Sequence, residues 1–115
     1  MGRSKTRPET PDGEQTVHIA LLGGFRIQHG HVEVASDAWP LAKAASLVKL
    51  LALSPSGRLH REEIIELLWP ALGREAGGNN LRQALFVARR TLETLGPGQA
   101  DLLVRLGDFV ALSSE

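Results

Sequence analysis

The sequence contains no cysteine, and its 13 basic and 13 acidic side chains leave no formal net charge. Without cysteine, disulfide bonds and thiolate–metal sites are excluded, which agrees with a reducing compartment. No apolar run approaches the roughly 20 residues that a membrane-spanning helix needs. The N-terminus also lacks the charged-then-apolar layout of a signal peptide. We therefore expect a soluble, cytoplasmic protein.

Patterns that carry catalysis or bind metal are missing as well. The sequence has no strained serine elbow, no phosphate-binding loop and no paired-carboxylate motif. Of its four histidines, His29 and His31 flank one glycine, while His18 and His60 are distant from them along the chain. Zinc needs three or four ligands within tetrahedral reach, and no thiolate is present to complete such a set. We predict neither an enzyme nor a metal or cofactor site.

The neutral net charge conceals a segregation of charge along the chain. A neutral chain is a mild argument against nucleic acid, because non-specific DNA affinity comes largely from basic side chains. Between Trp39 and Arg61, however, every charged residue is basic, and the same holds between Gly77 and Leu92. The basic residues of the two stretches are Lys43, Lys49, Arg58, Arg61, Arg82, Arg89 and Arg90. The local distribution of charge is therefore more informative here than the net charge of the chain.

The chain of 115 residues has the length of one domain. Residues 1–15 mix proline, glycine and both charge signs without a large apolar side chain after Met1. Such a segment cannot offset its ordering entropy, so we predict a disordered leader at 1–15 and a folded domain at 16–115. Residues 16–35 alternate apolar and polar side chains around Gly23-Gly24 and His29-Gly30, which predicts a small antiparallel meander.

Helical periodicity replaces this alternation at Pro40. Apolar residues recur at three- and four-residue steps up to Leu53, which predicts a first helix that starts at Pro40. A second helix should begin after an N-cap at His60 or a neighbouring residue. It should end at Trp69, because proline at 70 disfavours a helical residue before it. Its first turn contains two acids, Glu62 and Glu63, where the helix dipole favours them. Its apolar stripe is predicted to be Ile64, Leu67 and Leu68.

A third helix follows a loop predicted at 71–78. We place its N-cap at Asn79, because Gly77 and Gly78 would each cost about 1 kcal/mol inside a helix. Its buried face should comprise Leu81, Leu85, Ala88, Leu92 and Leu95. After Gly96-Pro97-Gly98, residues 102–106 and 109–112 flank the two-residue turn Gly107-Asp108, which predicts a hairpin. The order predicts an α+β winged helix-turn-helix: N-terminal antiparallel sheet, three helices and a C-terminal β-hairpin wing.

Five short segments carry a resemblance to a known family. They are Leu21-Leu-Gly-Gly-Phe25, Leu50-Leu-Ala-Leu53, His60-Arg-Glu-Glu63, Leu67-Leu-Trp-Pro70 and Asn79-Asn-Leu-Arg-Gln-Ala-Leu85, the last followed by Arg89-Arg90. In this order they resemble the N-terminal OmpR/PhoB-type winged helix of the Streptomyces antibiotic regulatory proteins and related bacterial transcriptional activators. The resemblance runs from about residue 17 to residue 112.

This resemblance implies a four-stranded N-terminal sheet and a third helix that enters the major groove of promoter DNA. It also implies homodimers on tandem DNA repeats and a contact with RNA polymerase through the loop from Pro70 to Gly78. Arginine matches guanine and glutamine matches adenine, so Arg82, Gln83 and Phe86 are the candidates for reading bases. Phe86 can equally turn into the core beside Leu85.

The remaining candidates are expected to hold the DNA backbone or to enter the minor groove. The backbone set is Lys43, Arg58, Arg61, Asn79, Asn80, Arg89 and Arg90, with Arg105 on the wing. Asn79 and Asn80 can also serve as helix caps, and each of the other side chains can be simply solvated. The alternative function is a degenerate winged helix used for protein contact or dimerisation. Charge neutrality and the single basic residue, Lys43, soon after Trp39 favour that alternative.

Overall fold

The computed structural model describes residues 17–21 and 25–113. In this part of the chain the protein is α+β, with three α-helices and two small antiparallel sheets, which confirms the predicted class at that level. The strands are β1 (Val17–Ala20), β2 (Arg26–His29), β3 (Val32–Ala35), β4 (Arg58–His60), β5 (Leu103–Leu106) and β6 (Phe109–Leu112). The helices are α1 (Ala42–Leu53), α2 (Arg61–Leu68) and α3 (Arg74–Glu93), with 3₁₀ turns at Ser36–Ala38 and Gln99–Leu102.

The N-terminal sheet is the predicted meander, in the order β1-β2-β3. Ile27 lies opposite Ile19 on one side and Val34 on the other, and Ile27 is fully buried. The resemblance implied four strands, whereas the described residues of this sheet form three. The predicted leader and the turn at Gly23-Gly24 lie outside the described residues.

The second sheet contains a strand that the sequence did not predict. The hairpin of β5 and β6 turns at Gly107, whose φ of 65° suits glycine. Strand β4, between α1 and α2 in the chain, pairs with β6 and places Leu59 opposite Val110. The sheet order is therefore β4-β6-β5, and the predicted wing is tied to the segment that leads into α2.

Helix α1 begins two positions later than predicted. Leu41 is its N-cap and has an extended backbone, so Pro40 lies before the helix and not in its first turn. The buried side chains of α1 lie at helical spacing, as expected from the apolar pattern: Ala44, Leu47, Val48 and Leu51. They place α1 in the hydrophobic core.

Helix α2 begins where the sequence predicted. His60 caps it: Nδ1 accepts the Glu62 N–H at 3.1 Å, while the His60 N–H donates to Glu63 Oε1 at 3.2 Å. The predicted stripe was wrong at one position, since Leu67 is 58% exposed and Ile65 is only 6% exposed. The reason is that α3 packs against the side of α2 that carries Ile65.

Helix α3 begins at Arg74, so the N-cap predicted at Asn79 was wrong. Gly77 and Gly78 are buried within its first turns. A Cβ on Gly77 would overlap Cγ2 of Ile65, which shows how closely the two helices approach. Tertiary contact with α2 therefore offsets the helix cost of the glycines. The connection from α2 to α3 is shortened to residues 69–73.

One hydrophobic cluster joins the three helices to both sheets. The predicted inner face of α3 and of the residues that follow it is confirmed: Leu81, Leu85, Ala88, Leu92 and Leu95 are all buried. Trp39 is buried and stacks on Phe25 with ring centroids 5.8 Å apart, while Trp69 packs at the edge of the cluster. None of the described helices is long and apolar enough to cross a membrane.

Candidate nucleic-acid interface

The side of α3 opposite the core carries a row of exposed polar and aromatic side chains. Residues three, four or seven positions apart in a helix lie on one side, and these side chains follow that spacing. They are Asn79, Arg82, Gln83, Phe86 and Arg90. We call this set the α3 outer face. It holds all three side chains that the sequence predicted to read bases.

Arg82 is held by a neighbour on the same helix. Its Nη1 donates to Oδ1 of Asn79 at 3.0 Å, one turn earlier. Asn79 and Asn80 lie in the second turn of α3, and Asn80 Nδ2 donates to the Ala76 carbonyl at 2.9 Å. The expectation that both asparagines lie at a helix N-terminus, where backbone N–H groups attract phosphate, was therefore wrong. Asn79 instead orients Arg82.

Phe86 projects from the helix, and the alternative that it turns into the core does not hold. Its side chain is 59% exposed. The guanidinium of Arg90 lies 5.6 Å from its ring centroid, which is a cation–π distance. The stacked pair covers part of an aromatic surface that water would otherwise contact.

Arg89 lies at the side of α3 and belongs to a structural cluster. Its Nη2 is 3.1 Å from Oδ1 of Asp101, and its Nε donates to the Ala100 carbonyl at 3.2 Å. In the free chain the guanidinium holds this carboxylate through a charge-assisted hydrogen bond. The predicted contact of Arg89 with a DNA phosphate would replace Asp101 by another anion, and it stays a prediction.

Glu93 holds the same loop from the end of α3. Its carboxylate accepts the N–H groups of Gly98 at 3.0 Å and Ala100 at 2.8 Å. These two hydrogen bonds lower the pKa of Glu93 from its ordinary value, and the nearby charge of Arg89 acts in the same direction. The end of α3 is thus fixed to the turn that precedes the hairpin.

Lys43 also has a structural partner. Its Nζ donates to the Leu68 carbonyl at 2.7 Å and lies 6.0 Å from the ring centroid of Trp69. The last carbonyls of a helix have no partner within it, so Lys43 satisfies one at the end of α2. A contact with the DNA backbone would have to replace this cap, and that role of Lys43 stays a prediction.

The remaining predicted cations surround the hairpin. Arg58, on β4, places its guanidinium 4.7 Å from the ring centroid of Phe109. The backbone N–H of Arg61 donates to the Asp108 carbonyl at 2.8 Å, which joins the start of α2 to the tip of the wing. Arg105 is exposed beside that tip, and its Nη2 lies 3.4 Å from the Gly107 carbonyl. No side-chain pattern predicts the contact between Arg61 and Asp108, because it joins backbone atoms.

Charge pairing separates the arginines into two groups. Within residues 17–21 and 25–113, ion pairs join Arg26 to Glu33, Arg74 to Glu62 and Arg89 to Asp101. Neither Arg82 nor Arg90 pairs with a carboxylate of those residues. The α3 outer face therefore presents two cations whose charge no described acid neutralises.

The same residues contain no cluster of three or more histidine, aspartate or glutamate side chains placed to hold a metal ion. Comparison of the chain with protein-family models, with curated proteins and with solved structures finds no match in any of the three. The function must therefore be argued from the geometry of the chain itself.

Proposed function

We propose that this chain is a winged helix domain that binds duplex DNA in a sequence-specific manner, with α3 in the major groove. The observation that carries the proposal is the α3 outer face, where Arg82 and Arg90 pair with no acid of the described residues and flank Gln83 and Phe86. These are the side-chain types that read base edges and hold phosphates.

The arrangement of elements supports the same proposal. Helices α2 and α3, joined by residues 69–73, correspond to a helix-turn-helix, and the hairpin of β5 and β6 corresponds to a wing. The major groove is about 12 Å wide, which matches the roughly 10–12 Å diameter of a helix with its side chains. At 1.5 Å per residue, α3 is about 30 Å long. With α3 in the major groove, the wing reaches the adjacent groove.

Each side chain of the face has a chemical role in the proposed complex. Arg82, oriented by Asn79, presents its guanidinium fork to guanine O6 and N7, and Gln83 pairs with adenine N6 and N7. Phe86 packs against a thymine methyl group, and Arg90 holds a phosphate. Outside α3, backbone contacts by Arg58 and Arg61 and a minor-groove contact by Arg105 complete the proposal.

In its wider setting the domain would recognise promoters for a cytoplasmic bacterial transcriptional activator, without catalytic activity. The resemblance to the OmpR/PhoB-type winged helices motivates this extension, together with homodimers on tandem repeats. The resemblance also motivates a contact with RNA polymerase through the α2–α3 connection, in which Leu72 is 41% exposed.

The test is a selection of bound duplexes from a random library, followed by variants of Arg82. The R82A variant should lose about 1–3 kcal/mol of binding free energy for the selected duplex and accept any base at one position. R82K should retain more affinity than R82A yet lose the base preference, because lysine lacks the planar fork. R26A removes a cation from the N-terminal sheet and serves as the control. Unchanged base preference in R82A would refute the groove assignment.

A second candidate function is protein contact or dimerisation through the same face. The exposed ring of Phe86 favours it, because large exposed aromatic side chains are common at interfaces. The two functions differ in their response to salt. DNA binding weakens steeply as salt rises, whereas an apolar protein contact responds little.

A further inference from the structure

A groove of about 650 Å³ runs along one side of α3, between that helix and the N-terminal sheet. Strand β3 and the segment from Ala38 to Leu41 form the opposite wall. The described residues that line it are Glu33, Val34, Ala38, Pro40, Leu41, Gln83, Phe86, Val87, Arg90, Thr91 and Thr94. Its volume lies within the range of small-molecule sites, about 300–1,000 Å³.

The groove walls are mostly apolar. Val34 and Leu41 line one side, and Val87 and the ring of Phe86 line the other. Sites of this kind bind the apolar body of a ligand and orient it through a few polar groups. The chemistry of the ligand therefore depends on which polar groups of the lining are free.

Most polar groups of the lining already have partners. The Thr91 hydroxyl donates to the Val87 carbonyl at 2.9 Å, and the Thr94 hydroxyl donates to the Thr91 carbonyl at 2.6 Å. Glu33 lies 3.9 Å from the guanidinium of Arg26. Arg26 thus partly offsets the negative charge of Glu33, the one acid among the described lining residues, and both hydroxyl protons are used.

Arg90 is the one cation among the described lining residues, and no described carboxylate pairs with it. Its guanidinium carbon lies 5.6 Å from the centroid of the Phe86 ring, a cation–π distance, and its N–H groups donate to no described residue. They are therefore available for the bidentate pairing that a guanidinium makes with a carboxylate. The groove therefore offers an apolar slot with an anion-binding group at α3.

We propose that this groove binds a small aromatic carboxylate, with the ring between Val34 and Val87 and the carboxylate on Arg90. Three of its lining residues, Gln83, Phe86 and Arg90, also belong to the α3 outer face. A bound ligand would therefore displace duplex DNA, and this regulatory part rests on the proposed function. Occupation of the groove itself does not.

The test uses the full chain, free of DNA, in an NMR titration with 2-naphthoate and its uncharged counterpart 2-naphthamide. Naphthoate should shift the amide signals of Val34, Leu41 and Val87 in a saturable manner. Naphthamide should bind at least fivefold more weakly, since it cannot form the charged pair with Arg90. Equal affinity of the two compounds, or shifts that map elsewhere, would overturn the proposal.

Two pairs of variants locate the site. R90Q should weaken naphthoate binding at least fivefold, whereas R82Q, on the same helix but outside the groove lining, should bind it as the unmodified chain does. A38F should fill the groove and abolish binding, while A71F, a change of equal size in the α2–α3 connection, should not. Far-UV circular dichroism checks that each variant is folded. Retained binding in both R90Q and A38F would disprove the assignment.

A separate experiment measures competition. With a duplex selected as above, saturating naphthoate should raise the apparent Kd for DNA at least tenfold. Binding of naphthoate without this change would refute the regulatory part and leave the groove site intact. A chain that binds naphthoate but no duplex would refute the proposed function, and the competition with it, but not the groove site.

Discussion

Gly77 and Gly78 are neighbours in α3, but a methyl group added to each would meet different surroundings. At Gly77 the methyl would overlap Cγ2 of Ile65, a β-branched and buried side chain with little freedom to move. At Gly78 it would lie 2.8 Å from Nη2 of Arg61, the far end of a flexible side chain. Only at the first position is the neighbouring side chain unable to move aside.

The two glycines should therefore respond oppositely to alanine. G77A should destabilise the protein by about 1–2 kcal/mol, because overpacking costs more than the helix propensity gained. G78A should be neutral or stabilise by up to about 1 kcal/mol, since Arg61 can swing aside. Urea denaturation measures both. In the G77A background, I65L removes the Cγ2 branch and should recover part of the loss. Equal effects at both glycines would contradict the packing described here.

Glu93 shows how one exposed carboxylate can organise a loop. Its hydrogen bonds to the N–H groups of Gly98 and Ala100 exist only in the folded chain, so its pKa is lower there than in the unfolded chain. A group with a depressed folded pKa contributes stability above its unfolded pKa and loses it as the pH falls through the folded value.

We expect E93Q to lower the Tm at neutral pH and to leave it little changed in acid. The difference in Tm between E93Q and the unmodified chain should have its full size at pH values above 4.5, the ordinary pKa of glutamate. It should shrink as the pH falls below that value. Thermal denaturation as a function of pH measures this. E66Q is the control, because the Glu66 carboxylate forms no hydrogen bond or ion pair with any described residue. A constant Tm difference at every pH would argue against the proposed cause.

At the scale of elements, local patterns predicted what local interactions determine. The three- and four-residue spacing of leucines predicted the inner face of α3, and the glycine-aspartate pair predicted the hairpin turn. The His60 cap followed from the acids at Glu62 and Glu63. Each of these features depends on residues close together in the chain, which is why sequence alone was sufficient.

The start of α3 could not be predicted in this way. Judged by propensity alone, Gly77 and Gly78 exclude a helix, and only the close approach of Ile65 explains their place in one. Strand β4 was missed for a similar reason, since it has three residues and its partner β6 lies far along the chain. Both depend on contacts between distant segments.

The sequence predicted which side chains of α3 are exposed, but not which partners the neighbouring cations have. Arg82, Gln83 and Phe86 lie together on the exposed side of α3, because helical periodicity alone decides which side faces outward. The sequence did not predict the partners of Lys43 and Arg89, which are a carbonyl of α2 and residues after α3. A sequence shows that a residue is charged, but not which atom its side chain contacts in the folded protein.

For the whole molecule, a net charge of zero does not describe the surface that would approach DNA. Among the described residues, the acids Glu33, Glu62 and Asp101 pair with arginines that do not belong to the α3 outer face, namely Arg26, Arg74 and Arg89. Such pairing reduces the effect of those acids on an approaching polyanion. It leaves Arg82 and Arg90 to dominate the local field.

The salt dependence of binding should report this surface. The logarithm of the affinity for random duplex should fall linearly with the logarithm of salt concentration, and R90A should reduce that slope by about one unit. The double variant R26Q/E33Q, which removes both charges of a pair on the N-terminal sheet, should keep the full slope. Fluorescence anisotropy at several salt concentrations measures both variants. A flat response in the unmodified chain would favour protein contact as the function.

Strand β6 lies at the centre of its sheet, between β4 and β5, although it is the last strand described. Because the chain is synthesised from its N-terminus, β4 leaves the ribosome before its partner strand. The edge of β4 stays unpaired until Phe109–Leu112 has also left the ribosome. Val110, fully buried in the finished fold, then completes the core. A nascent chain stalled before Phe109 would expose both the edge of β4 and the apolar core side chains that β6 covers. Exposed strand edges and apolar surface promote chaperone binding or aggregation.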